Sequence, residues 1–156
     1  MAHEHYRFFG LMICLAAGLC PAWPASAQQA ALDQAADRYW DISMRRSPTR
    51  ATAIGDYRFN DQLDDLSAAA EQRAIAELKS LQVDLRSVNI KDLGEESKLT
   101  HALLERAIQD DLTRLGLAID RFLVLEPLEG PHLRFPLILV SHPFRNTEDF
   151  QAYIKR

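Results

Sequence analysis

The sequence predicts an all-α protein, and two observations carry that prediction. Apolar residues recur at three- and four-residue spacing over three long stretches. The capping and breaking residues (Ser47-Pro48, Gly55, Ser67, and the run from Ser87 to Gly94) fall between those stretches.

The first stretch runs from Gln29 to about Met44. Leu32, Ala35, Ala36, Tyr39 and Ile42 make one face, while Asp33, Asp37, Arg38 and Asp41 point toward water. The adjacent aromatics Tyr39 and Trp40 read first as anchors of a core edge, because large aromatic side chains dominate core burial. A ligand contact is the second reading.

Ser47-Pro48 follows as an N-cap and a proline at the first helical position, where a missing N–H costs nothing. A short helix through Ala51 and Ile54 ends at Gly55, which tolerates left-handed geometry. Ser47, Pro48 and Gly55 are therefore turn-forming residues. Asp56-Tyr57-Arg58-Phe59-Asn60-Asp61 is a polar, aromatic-bearing loop. Asp56 is expected to satisfy backbone N–H groups there. The alternative is that Asp56, Tyr57 and Arg58, with Tyr39 and Trp40, line a substrate channel.

Ser67 caps the second long helix, about Ala68 to Arg86, with Ala70, Ala74, Leu78, Leu81 and Leu85 as its stripe. The third runs from about Glu95 to Leu123 along Leu104, Ile108, Leu112, Leu115, Ile119 and Phe122. Prolines at 127, 131 and 136 make Glu126 to Pro136 a predicted loop. Leu137 to Val140 fits either a short strand or a buried helical turn. Asn146 then caps a helix with acidic residues in its first turn. That helix is cut off at Arg156, which predicts a truncated domain.

The N-terminus predicts export. Phe8 to Cys20 is an apolar block after Arg7, and Ala25-Ser26-Ala27 follows it. This is the pattern of a cleavable secretory signal over residues 1–27, cut between Ala27 and Gln28. A membrane anchor needs roughly 20 apolar residues, and Gly10, Gly18, Pro21 and Pro24 interrupt this one. The expectation is a secreted or periplasmic protein with no stable membrane insertion after cleavage.

Cys14 and Cys20 both lie in the leader, so residues 28–156 offer no disulfide and no thiolate ligand. The net charge of −4 excludes the basic stripe of a nucleic-acid binder.

The search for chemistry finds no site. His101, His132 and His142 lack the paired spacing of a helical zinc site, and no His-Glu-x-x-His occurs. No Gly-x-Ser-x-Gly elbow or phosphate-binding glycine loop is present. The acidic pairs Asp64-Asp65, Glu95-Glu96 and Asp110-Asp111 read as solvated surface. No catalytic or metal-ligating residue is assigned.

Order is more telling than any single motif. Asp37-Arg38-Tyr39-Trp40 is followed by Ser47-Pro48-Thr49-x-Ala51-Thr52-x-x-Gly55-Asp56, then by Pro127-Leu128-x-Gly130-Pro131-His132, then by Thr147, Phe150 and Tyr153. Together they resemble the N-terminal part of the bacterial domain-of-unknown-function 885 family, over about residues 30–156. The resemblance implies a large, mostly helical protein similar to gluzincin-type zinc metallopeptidases. Its His-Glu-x-x-His helix lies downstream of the part matched here, so no ligand carries over.

On that reading, residues 28–156 are the N-terminal helical scaffold of an exported zinc-dependent peptidase-like hydrolase, inactive alone. Zinc and a peptide-like substrate belong to the full-length parent, and the partner of this chain is the missing C-terminal catalytic region. The competing expectation is a complete small periplasmic helical binding module. An open apolar face on the third long helix would favour the scaffold.

Overall fold

Three long helices build the core. In the computed structural model, which describes residues 27–118 and 131–156, they are α1 (Ala27–Arg46), α3 (Ala68–Arg86) and α4 (Glu95–Leu117). Leu32, Ala35 and Ile42 of α1 meet Leu78, Leu81 and Leu85 of α3 and Leu104, Ile108 and Leu115 of α4. Val88 and Leu93, from the connection between α3 and α4, close one end. Each helix packs on the other two, so the apolar stripes read from sequence converge on one interior.

Both ends of α3 are satisfied by side chains. Ser67 Oγ accepts the Ala70 N–H at 3.2 Å at the start of α3. His101, buried near the start of α4, donates from Nε2 to the Leu85 carbonyl at 3.1 Å. It thereby closes the far end of α3, where carbonyls lack helical partners.

Two expected boundaries move. α4 stops at Leu117 because Ala118 turns left-handed (φ 49°), its N–H capping Leu115 O. Ile119 and Phe122, the last positions of the expected stripe, lie outside the described residues. The second difference is α5 (Pro131–Ser141), which occupies much of what the prolines predicted to be a loop. Pro131 sits in the first turn, where the absent N–H would have had no acceptor. Pro136 lies inside the helix and removes one bond of the ladder. Leu137 to Val140 are accordingly helical, and the His142 N–H still reaches Ile138 O at 2.8 Å.

The shorter elements gather beside the core. α2 (Pro48–Ala53) packs on α1 and α5, and a 3-10 turn over Tyr57–Phe59 follows it. Ser47 makes no side-chain cap. Asp64 supplies the cap instead, accepting the Thr49 N–H at 3.0 Å and the Thr49 hydroxyl at 2.8 and 2.9 Å. Gly55 holds φ at +90°, a left-handed conformation that suits glycine. Last comes α6 (Thr147–Lys155), capped by Asn146 Oδ1 on the Asp149 N–H at 2.8 Å. Among the described residues no strand occurs, and no helix is long and apolar enough to cross a membrane.

Candidate functional site

Successive residues on a helix project about 100° apart, and α1 uses this to send its two aromatics in different directions. Tyr39 turns toward α4, where its hydroxyl donates to Asp111 Oδ2 at 3.0 Å. Arg46 and Arg114 flank the same carboxylate at 3.4 and 3.5 Å. Burial first, and the Asp111 charge second, push the Tyr39 phenol above its ordinary pKa. This cluster ties α1 to α4 and stands apart from the other candidate residues.

Trp40 turns the other way and stays 47% exposed. It is not a core anchor. Its indole N–H donates to Asp56 Oδ2 at 3.2 Å. Arg58 folds back on the same carboxylate, with Nε 2.9 Å from Oδ1 and Nη2 2.7 Å from Oδ2. The remaining guanidinium nitrogen, Nη1, reaches Asp41 Oδ1 at 2.7 Å. Trp40, Asp41, Asp56 and Arg58 thus form one network across α1 and the turn after α2.

The Arg58 hydrogen bonds outweigh the cost of desolvation and hold the Asp56 carboxyl down to about 2. A carboxylate so firmly ionised is a poor proton shuttle near neutral pH, where general acid–base groups titrate close to the working pH. Asp56 therefore acts as a clamp.

Tyr57 lies beside this network with the Arg145 guanidinium 4.8 Å from its ring centre, a cation–π contact. Together with Arg58, Asp61, Glu148 and Lys155 it borders a shallow depression of about 410 Å³ between the 3-10 turn and α6. Asp61 and Lys155 are ion-paired across it. Beneath, Arg156 fastens α6 to the turn: Nη2 donates to Thr52 Oγ1 at 2.7 Å and Phe59 O at 3.1 Å, and Nε to Gln62 O at 2.7 Å. Burial pushes this guanidinium below its usual pKa range.

Glu95 and Glu96 stay exposed as solvated surface, but three members of the other acidic pairs do more. Asp64 caps α2, Asp65 accepts the Ser67 N–H at 2.9 Å ahead of α3, and Asp111 is the centre of the Tyr39 cluster. The Asp64 cap is readable only once the loop path is known, because Asp64 lies far along the chain from Thr49.

The two buried histidines, His101 and His142, are spent on backbone carbonyls. His142 is buried, donates from Nε2 to Asp149 O at 2.8 Å, and packs its ring on Phe144 and Tyr153. Among the described residues no group of three His, Cys, Asp or Glu side chains is placed to hold a metal ion.

The model of a family described as bacterial protein of unknown function (DUF885) matches residues 48–156. The chain belongs to the DUF885 family. The DUF885 match opens at Pro48, the first residue of α2, and takes in every later helix. Asp56, Tyr57 and Arg58 therefore fall within the DUF885 segment, while α1, with Tyr39 and Trp40, precedes it. No curated protein and no solved structure matches the chain.

Proposed function

We propose that this chain is the N-terminal helical scaffold of an exported, zinc-dependent, peptidase-like hydrolase whose catalytic residues lie outside it. The observation that supports the scaffold role is α5. Ile138 faces inward at 7% exposure, whereas Leu133, Phe135, Leu137, Leu139 and Val140 are open, Val140 at 83%. At about 100° per residue these open positions sweep an arc of roughly 200°.

A surface helix shows a narrower apolar stripe toward one core, and a helix apolar nearly all round is an interior helix. α4 adds Leu99 and Leu103, one turn apart and open, and α6 adds Ile154 at 82%. Such apolar surface fits packing against further protein. The hydrolase part rests on the resemblance to gluzincin-type peptidases, and the export part on the leader pattern. No hydrolytic step is assigned to the residues described.

The test compares residues 28–156 with a version extended to the next in-frame stop codon. The expected result is zinc and peptidase activity in the longer protein only. Activity or stoichiometric zinc in the short chain overturns the scaffold reading. A longer protein with neither overturns the hydrolase reading and leaves a binding module in its place.

A further inference from the structure

We infer that Gln28 is a modification site, closing to a pyroglutamyl lactam once it becomes the first residue. The inference rests on the export reading, which places the cut between Ala27 and Gln28. Glutamine at a free N-terminus carries its own electrophile, the side-chain carboxamide, within reach of a five-membered ring. The structure adds two features that bear on whether the ring closes.

The first is the environment of the carboxamide. Gln28 Oε1 accepts the backbone N–H of Asn89 at 2.6 Å, from the residue that opens the 3-10 turn Ile90–Asp92. A fixed donor on a carbonyl oxygen draws charge off the carbon and stabilises the oxyanion that forms on attack. Side chains on a helix also lean toward its N-terminus. By that general lean, the Gln28 carboxamide is expected on the side of α1 where the freed amine stands.

The second is the charge at the helix start. The first turn of α1 holds no acidic side chain. An ammonium there adds positive charge to the end of the helix that already presents unpaired N–H groups. Cyclisation removes that charge.

The step balances without a co-reactant. The neutral Gln28 amine attacks Cδ, forming the N–Cδ bond. A proton passes from that nitrogen to Nε2 through water, the Cδ–Nε2 bond breaks, and ammonia leaves. The product is a neutral N-terminus that aminopeptidases cannot trim.

The test is the mass of the N-terminal peptide from the exported protein, with Gln28→Ala as a control that cannot cyclise. The expected peptide begins at residue 28 and is lighter than the free-glutamine form by one ammonia. A free Gln28 overturns the inference and leaves the export reading standing. A start at any other residue overturns the inference and the cut between Ala27 and Gln28, and leaves export itself standing.

The role of Asn89 is read separately, by following ring closure of uncyclised protein in its native state and in concentrated guanidinium. Faster closure in the native state supports it. Equal or slower closure there overturns it.

Discussion

Trp40 and Asp56 share a hydrogen bond, indole N–H to Oδ2 at 3.2 Å, that joins the middle of α1 to the turn leaving α2. Arg58 grips the same carboxylate and bridges it to Asp41. The turn is thus held by a polar network on a largely exposed surface, with Asp56 as its hub. Replacing Asp56 with Ala is expected to cost about 1–2 kcal/mol of stability, the scale of a lost cap, as read by urea unfolding. In an active longer protein the same change should leave turnover nearly intact. A large fall in turnover with unchanged melting would make Asp56 a functional residue and not a clamp.

The Asp56 network also sets a pH dependence. Its folded carboxyl is held down to about 2, below the ordinary aspartate value of about 3.9. The stability it contributes is therefore complete above that ordinary value and is lost as pH falls toward about 2. An Asp56→Asn variant should show a shallower loss of stability across that acid window. Parallel acid unfolding curves for the two proteins would contradict this.

On another face of α1, Tyr39→Phe removes the hydroxyl that donates to Asp111. A single hydrogen bond to a charged group contributes about 1.5–3 kcal/mol when well buried, and this one is only part-buried, so about 1 kcal/mol is expected. The Tyr39 phenol is raised above its ordinary value. Its contribution is in place below about 10 and is lost as pH rises through the raised value. Alkaline unfolding should therefore begin earlier for wild type, relative to its own neutral stability, than for Tyr39→Phe. Identical alkaline profiles would remove Tyr39 from the account.

The core and the open face predict opposite responses to the same substitution. Leu81 is fully buried among α1, α3 and α4, so Leu81→Ala should cost about 2–5 kcal/mol. Leu103 is open on α4, and Leu103→Ala in residues 28–156 should stay within about 0.5 kcal/mol. Chemical denaturation of the two variants checks the contrast, and a severe loss at Leu103 would mean that this face is covered.

Much of the bundle is legible in the sequence because its information is local. The spacing of Leu78, Leu81 and Leu85, or of Leu104, Ile108 and Leu115, specifies a stripe, and each stripe meets the core. The caps at Ser67 and Asn146 are equally local, each spanning three residues. What the sequence hides is non-local or positional. Asp64 reaching back to Thr49, and Arg156 reaching Thr52, depend on how the loop folds. Counting prolines predicts a loop from Glu126 to Pro136, because the count ignores where each proline falls in a helical turn. Pro131 starts α5, and Pro136 is tolerated inside it. The divergence of Tyr39 and Trp40 follows from helix geometry, but which neighbour each one meets does not.

Hydrogen exchange along α5 tests the central claim most directly, in residues 28–156 and in the version extended to the next stop codon. If α5 is an interior helix of a larger body, the backbone amides of residues 131–141 exchange quickly in the short chain. They should become strongly protected in the extended one, while α3 changes little. Equal exchange of α5 in the two proteins would contradict the scaffold reading, whatever activity the longer protein shows.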